Sequence, residues 1–411
     1  MKTARLSALR SWRVSAIAAV VAFRLGTVAV SFVYALVVGP AQFAPVAMML
    51  VLVPLGTMIS TLGVDQAFFR EMVNSRRARP DLRSALRLVS IPLAMCPILA
   101  LAFSVVASAL GYSCAVFAIA GACSAIQALS VLIISAHRRA TTDSVKYAVM
   151  FISIACVSAC TRLVLLFATS FPASVSWVAG DAAAAVLSVA YAARWLLSLS
   201  QRKDEGLILC YKRLLGYGGP MTLHGCFQWV LGSADRFIIS GALGPTALGT
   251  YGAVYQFAAV YNAAASELNK TGLHRYANSV SATGREVASR DRRVLLALWL
   301  IALPFVIGAF YVLQQRGYSS AVGLGTCLYV SFLPLVVYLP IANRVSITVG
   351  SARAMGLSSG LGAVANVTVN MVFVHQLNTY VGAVANIAGY AVMALVLVAT
   401  YRASLSGRVS V

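Results

Sequence analysis

Residues 88–110 have the sequence LVSIPLAMCPILALAFSVVASAL, and residues 113–135 continue as SCAVFAIAGACSAIQALSVLIIS. Neither run contains a charged side chain, and only Gly111 and Tyr112 separate them. A helix needs about 20 apolar residues to cross the hydrocarbon core of a membrane. The two runs therefore predict a pair of membrane-crossing helices joined by a tight turn.

Similar apolar runs cover most of the chain. Hydrophobic residues make up 60% of its 411 residues and charged residues only 10%, against about 25% in an ordinary soluble domain. One water-soluble core could not hide so many apolar side chains. The predicted spans cover residues 15–38, 43–63, 88–110, 113–135, 147–170, 174–194, 218–242, 248–267, 294–314, 320–342, 355–375 and 379–400. The sequence thus predicts an all-α polytopic membrane protein with about 12 transmembrane helices.

Lysine and arginine are distributed unequally between the two sets of connecting segments. Of the 32 basic residues, 28 lie in segments on the same side as the N-terminus, and only Arg316 lies in the opposite loops. Basic loops remain in the cytoplasm, so both termini are expected there. The net charge of +21 is interpreted as this topology signal and as attraction to anionic lipids, and a nucleic-acid partner is not expected.

The chain repeats itself at an offset of 205 residues. The pairs that recur include Gly39 with Gly244, Pro40 with Pro245, Arg87 with Arg292, and Asp181 with Asn386. Repeats with an even number of spans are parallel, and such repeats usually build transporters. The sequence therefore predicts two pseudo-repeated six-helix lobes, residues 1–205 and 206–411, around a central cavity.

Several short motifs carry a family resemblance. They are Tyr217-Gly218-Gly219-Pro220, Ala234-Asp235-Arg236-Phe237-Ile238-Ile239, Leu243-Gly244, Gly249, Tyr251, Asn366, Asn370, Gly382-Ala383 and, in the first half, Leu62-Gly63. Together they resemble the polysaccharide-transport flippases, the Wzx-like branch of the multidrug/oligosaccharidyl-lipid/polysaccharide exporter superfamily. The chain departs from the family at Phe43-Ala44-Pro45, where Phe-Gly is common, and it lacks the two extra spans of the peptidoglycan-precursor branch.

The resemblance implies a flippase that moves a polyprenyl-pyrophosphate-linked oligosaccharide repeat unit across the bacterial inner membrane. Such units build surface polysaccharide, whether O-antigen, capsule or exopolysaccharide. The implied partners are this lipid-linked oligosaccharide, anionic lipids, a polysaccharide polymerase and a chain-length regulator. An ion-coupled multidrug or metabolite antiporter of the same superfamily is the alternative hypothesis.

Enzyme chemistry has few candidate residues in this chain. The sequence has no G-x-x-x-x-G-K-[ST] motif, so P-loop ATP hydrolysis is not expected, and no histidine or cysteine spacing predicts a metal site. The loops predicted outside are too short for a catalytic domain, which argues against a membrane polymerase or acyltransferase. We expect no cofactor, and an ion gradient or downstream polymerisation would supply the energy.

Four polar residues within the predicted spans are candidates for substrate binding. Arg24 lies about 13 Å from the cytoplasmic face and has no acidic residue in its span, so it either meets the substrate pyrophosphate or snorkels to the headgroups. Arg236 is a second candidate cation. His224 and Gln228 lie four residues apart and either bond sugar hydroxyls or join neighbouring helices.

Three further charges are candidates for gating or coupling. Arg162 and Asp181 lie at the same depth on consecutive spans, which favours an ion pair, with proton or cation coupling at Asp181 as the alternative. Asp235 is adjacent to Arg236, so their side chains diverge by about 100° around the helix. One arrangement has Asp235 bonded to a neighbouring helix while Arg236 faces the cavity, as part of an outer gate. A purely architectural role of the two residues is the alternative.

Overall fold

The computed structural model describes residues 2–64, 67–68, 81–132, 144–200, 211–277, 281–345 and 352–405. The side chains of residues 2–25, and of some residues beside the gaps, are outside this description. The described residues form helices and turns, with no strand among them.

Eleven α-helices make up the parts of the chain that the structure describes. In chain order they are α1 (Lys2–Thr61), α2 (Leu82–Ala109), α3 (Cys114–Ser130), α4 (Ser144–Ala168), α5 (Ala173–Ser200), α6 (Tyr211–Ala277), α7 (Ser281–Gln315), α8 (Ala321–Ser331), α9 (Leu335–Arg344), α10 (Ala352–Leu377) and α11 (Val381–Leu405). A 3₁₀ turn, Asn378–Tyr380, separates α10 from α11.

The helices coincide with the predicted apolar runs. Eight helical segments of the described chain are long and apolar enough to cross a membrane, and Cys114–Ser130 is a shorter apolar helix. The protein is therefore a multi-pass membrane protein. The count of eight differs from the predicted twelve for two reasons. The segments that contain α1, α6, and α10 with α11 each count once although each covers two predicted spans, and α3 is too short to be counted.

The two long bent helices turn at equivalent positions of the repeat. Gly39 in α1 has φ 74° and ψ 171°, and Gly244 in α6 has φ 83° and ψ 179°. Only glycine adopts this region without strain, and a proline follows in both cases. The two glycines that the 205-residue offset pairs therefore have the same backbone conformation in both halves.

A second pair of turns repeats at nearly the same offset. Gly111 and Gly317 have φ 73° and 87°, and each is followed by a tyrosine. The Tyr112 N–H donates to the Ala107 carbonyl at 2.8 Å, and the Tyr318 N–H donates to the Leu313 carbonyl at 3.2 Å. Both helices thus end in the same glycine cap, which pairs carbonyls that a helix end leaves free.

The span predicted over residues 320–342 is broken at Phe332–Pro334, between α8 and α9. Pro334 lacks an N–H, so one hydrogen bond of a regular helix is missing at this point. The indole Nε1 of Trp299 donates to the Tyr329 carbonyl at 3.2 Å, and the Tyr329 hydroxyl donates back to the Trp299 carbonyl at 2.7 Å. A neighbouring helix therefore supplies a partner for a carbonyl beside the break, as membrane helices require.

The described chain divides into two compact units. The first contains residues 1–30 and 48–223, and in it α2 packs on α3 while α3 and α4 pack on α5. The second contains residues 31–47 and 224–411, and in it α10 packs on α11 while α8 and α9 contact both α7 and α11. The predicted lobe boundary between residues 205 and 206 lies outside the described residues.

The shared glycine geometry generates a stability prediction. Gly39→Ala and Gly244→Ala each force a Cβ into a region that is essentially reserved for glycine, so each is expected to destabilise the protein by about 1–3 kcal/mol. Gly241→Ala is the matched control, because Gly241 is exposed and nothing lies within 4 Å of an added Cβ. Denaturant unfolding in detergent measures the difference, and three equal midpoints would contradict the prediction.

Candidate functional site

The predicted ion pair between Arg162 and Asp181 is present in the first unit. The Arg162 Nη2 atom lies 2.5 Å from the Asp181 Oδ1 atom, and both side chains are buried. The guanidinium also lies over the Trp177 ring, 3.9 Å from its centroid, and its Nε donates to the Trp177 carbonyl at 3.3 Å. Gly180 makes room for this arrangement, because a Cβ there would overlap the Arg162 side chain. The geometric prediction is confirmed, while a gating or coupling role stays a prediction.

The second unit carries a neutral counterpart of this pair. Asn386 is the repeat equivalent of Asp181, and its side-chain oxygen accepts a hydrogen bond from Asn366 at 3.2 Å. Asn366 lies one residue from the position equivalent to Arg162. Asn370 donates in turn to the Asn366 side-chain oxygen at 3.0 Å, and all three asparagines are fully buried. The two units therefore join equivalent helices with different chemistry, a charge pair in one and amides in the other.

Asp235 and Arg236 both contact the part of α6 that follows the bend at Gly244. The Tyr251 hydroxyl donates to Asp235, and Gly382 leaves room for that hydroxyl, since a Cβ there would overlap it. Asp235 is therefore bonded to a neighbouring span, as one predicted arrangement has it. Arg236 is also buried, at 3% exposure, and its guanidinium lies over the Tyr255 ring, 3.9 Å from its centroid. Arg236 therefore stacks on a tyrosine in this structure, and its predicted role at a cavity or gate stays a prediction.

His224 and Gln228 lie half-buried on the part of α6 that precedes the bend at Gly244. The His224 ring nitrogen Nδ1 lies 2.9 Å from the Ser359 hydroxyl on α10. Gln228 donates weakly to the Met393 sulfur on α11 at 3.9 Å. Both residues therefore join neighbouring helices in this structure, and substrate binding by them stays a prediction. The Arg24 side chain lies outside the described residues, so its contacts are not part of this geometry.

The sequence-based interpretation missed two tyrosines of this site. In the sequence Tyr251 is notable only as part of the family resemblance, and Tyr255 belongs to no motif. In the structure the two tyrosines contact Asp235 and Arg236. Their spacing of four residues places both on one face of the helix, as a helical period requires. Two tyrosines at that spacing, on the span that follows the Asp-Arg dipeptide, are the sequence pattern that could have predicted these contacts.

The buried ion pair generates a prediction about charge balance. Asp181→Ala leaves an unpaired Arg162 guanidinium, so we expect a loss of about 3–5 kcal/mol in stability. The double variant Arg162→Asn with Asp181→Asn removes both charges and places two amides at the same contact, so it is expected to lose much less. Unfolding of the two variants in mixed micelles measures both losses, and a double variant no more stable than the single one would refute the prediction.

The Tyr251 contact generates a second prediction. Tyr251→Phe removes one hydroxyl and leaves a buried carboxylate short of a donor, so a loss of about 1–3 kcal/mol is expected. Tyr311→Phe is the matched control, because Tyr311 is exposed, at 59% of its surface. Thermal unfolding of the two purified variants is the measurement, and equal shifts in both would contradict the expectation.

Comparison with known proteins gives both a family and a fold. Residues 8–266 match the family described as polysaccharide biosynthesis protein. The structure is similar to the inward-facing conformation of a multidrug resistance MATE family transporter of the MOP superfamily, with a TM-score of 0.71 at 12% identity over 96% of this chain and 98% of that one. Among curated proteins none matches the sequence.

Two further structures support the same fold. The outward-facing conformation of a MATE family transporter gives a TM-score of 0.60 at 11% identity, over 96% of this chain and 95% of that chain. A MOP superfamily transporter from Pyrococcus furiosus gives 0.58 at 13% identity over 96% of each chain. The fold is therefore that of MATE-like transporters, and the resemblance to Wzx-like flippases is confirmed. Because the family match covers more than half of its residues, this chain belongs to the polysaccharide biosynthesis protein family.

Proposed function

We propose that this protein is a flippase for a polyprenyl-pyrophosphate-linked oligosaccharide repeat unit in the bacterial inner membrane. The family match over residues 8–266 is the observation that carries the proposal, because it joins polysaccharide synthesis to a transporter fold. The repeat unit then serves the assembly of O-antigen, capsule or exopolysaccharide. A polymerase and a chain-length regulator act on it after translocation.

The proposed flippase crosses the membrane twelve times, in two lobes of six helices. Three apolar segments, Gly26–Thr61, Thr222–Ser266 and Ala354–Ala403, have 36, 45 and 50 residues, and each contains a turn or bend. A single crossing needs about 20 residues, so each of the three crosses twice. Counted in this way, and with Cys114–Ser130 as a further crossing, the segments give the twelve predicted from the sequence. The excess of basic residues on one side supports cytoplasmic termini.

The state of the two intramembrane acids supports an anionic or neutral cargo. A site for a cationic drug needs a carboxylate that is free to meet it. Asp181 is paired with Arg162, and Asp235 receives the Tyr251 hydroxyl beside Arg236. Both carboxylates are therefore already engaged, and Arg24 and Arg236 remain candidate contacts for a pyrophosphate.

The multidrug or metabolite antiporter is the second candidate function, because the structural neighbours include multidrug resistance transporters. These neighbours are at most 14% identical and are similar in fold only. In either case the absence of a P-loop motif from the sequence favours energy from an ion gradient or from the next biosynthetic step.

A deletion strain separates the two functions. Its surface polysaccharide and its polyprenyl-linked intermediates are the quantities to measure. We expect loss of surface polymer, with complete repeat units accumulating on lipid in the inner leaflet. Normal polymer with no trapped intermediate, together with altered drug sensitivity, would instead establish the antiporter.

Arg24 provides a residue-level prediction. A charge-assisted bond to pyrophosphate contributes about 1.5–3 kcal/mol, so Arg24→Ala is expected to lower flipping roughly 10- to 100-fold. Arg24→Lys keeps the charge and should retain most of the activity. Arg316→Ala is the matched control, because Arg316 lies in an exposed turn between two spans. Repeat-unit translocation in the complemented deletion strain is the readout. A fully active Arg24→Ala protein would contradict the proposed contact of Arg24 with pyrophosphate.

A further inference from the structure

One face of α2 is exposed along most of the length of the helix. The exposed residues that recur on it, at intervals of three, four or seven, are Arg83, Arg87, Ser90, Ala94, Leu101 and Val105. These intervals place all six on one side of a helix. The opposite side, which includes Leu88, Leu99 and Phe103, is buried in the first unit. We call the exposed face the α2 stripe.

The α2 stripe is apolar except at the end that carries the two arginines. Leu101 and Val105 are 67% and 61% exposed, and an exposed apolar face of this length is typical of contact with a membrane. From Arg87 to Val105 the helix rises roughly 27 Å, at 1.5 Å per residue. The hydrocarbon core of a bilayer is about 30 Å thick. The two arginines therefore lie where the hydrocarbon ends and the phosphate groups of the lipids begin.

Neither arginine of the α2 stripe forms an ion pair with a residue that the structure describes. Both side chains are exposed. The nearest acid in the sequence, Asp81, caps the helix, since its Oδ1 atom accepts a hydrogen bond from the Ser84 N–H at 3.1 Å. The guanidinium groups of Arg83 and Arg87 are thus available to an anion outside the protein.

The spacing of the two arginines suits a single phosphate group. Residues four apart on a helix project from the same side, with Cβ atoms about 6 Å apart. Each guanidinium presents a planar fork of donors that matches two phosphate oxygens. Two forks one turn apart therefore hold one phosphate from two sides.

A lipid phosphate fits this place better than a soluble one, because the stripe continues beyond the arginines as apolar surface for acyl chains. The headgroup of a zwitterionic lipid would bring an ammonium group close to the arginines, whereas that of an anionic phospholipid brings no positive charge. Each basic residue at an anionic membrane surface contributes about fivefold in affinity. The pair therefore favours an anionic phospholipid.

The second unit carries a similar arrangement on α7, which includes residues 287–314, the repeat equivalents of α2. Arg290 and Arg293 are exposed there, and they lead into an apolar face on which Phe305 is 77% exposed. Glu286, one turn before Arg290, is exposed as well and reduces the positive charge of this face. An exposed basic pair above an apolar face thus occurs in both units, and α2 has no acidic residue among its 28.

We propose that Arg83 and Arg87 form a binding site for the phosphate of an anionic phospholipid whose acyl chains lie along the α2 stripe. The site lies on the side of the membrane where the basic residues are concentrated. The net charge of the chain predicts only a general attraction to such lipids, whereas the exposed pair gives that attraction a definite place. The inference does not depend on the proposed cargo, because it concerns a face of the protein that lies in lipid.

Brominated lipids measure which phospholipid lies next to the α2 stripe. A fluorophore is attached at Ser90→Cys, three residues from Arg87, in a protein whose eight native cysteines are replaced. Nanodiscs contain either brominated phosphatidylglycerol or brominated phosphatidylcholine among unmodified lipids, and their quenching is compared. We expect phosphatidylglycerol to bind about 10- to 30-fold more tightly beside this label. A label at Val105→Cys, at the other end of the same stripe, should show no preference.

Removal of the charges tests the two arginines directly. Both are exposed, so Arg83→Gln with Arg87→Gln should fold as the parent does, and it should bring the two lipids to nearly equal quenching at Ser90→Cys. Arg316→Gln removes an exposed charge from a turn at the opposite end of the spans and should leave the preference unchanged. High salt should weaken the preference without any change at the arginines, because salt screens exposed charges.

Three results would overturn the proposal. They are equal quenching by the two lipids beside Ser90→Cys, a preference that survives the double substitution, and displacement of brominated phosphatidylglycerol by a tenfold smaller amount of a polyprenyl phosphate. The last result would identify a lipid-linked substrate as the occupant. Failure of the proposed function is distinguishable from all three, because a protein that translocates no oligosaccharide still reports its lipid preference in this assay.

Discussion

A peptide group in the hydrocarbon core of a membrane has no water to bond, so every N–H and C=O there must find its partner within the protein. This constraint explains why the described chain is helical and where its irregular backbone occurs. Gly39 and Gly244 bend the two longest helices next to prolines, at the turns between predicted spans. The break before Pro334 has a Tyr329 carbonyl bonded by Trp299. At these places the helix is therefore interrupted either at a turn between spans or where a side chain donates a hydrogen bond to a backbone carbonyl.

The same constraint acts on side chains. Arg162 and Asp181 neutralise each other in the first unit, and Asn366 and Asn386 join the equivalent helices of the second unit without charge. The amide pair shows that the helix contact does not itself require ions. In the ion pair, loss of either partner leaves a lone buried charge. A lone buried charge lowers the stability of the fold far more than a lone amide does. This asymmetry is consistent with a mainly architectural role for the ion pair.

Glycine determines which polar groups can meet. Gly180 accommodates the Arg162 side chain, and Gly382 accommodates the Tyr251 hydroxyl that bonds Asp235. Gly249 and Gly252 likewise leave room for the Pro40 carbonyl and the Ala47 side chain. In lipid there is little hydrophobic drive between helices, so close packing at small residues supplies much of the association.

The sequence by itself determined the helical spans, the inequality of the loops and the repeat, because bilayer thickness and loop charge act on local composition. It also predicted the Arg162–Asp181 pair, since consecutive antiparallel spans bring residues at equal depth together. Only the tertiary structure decided that His224 meets Ser359 and that Arg236 stacks on Tyr255. Those contacts depend on which helix faces lie together, and helix faces are chosen by the packing of the whole unit, which no local pattern specifies.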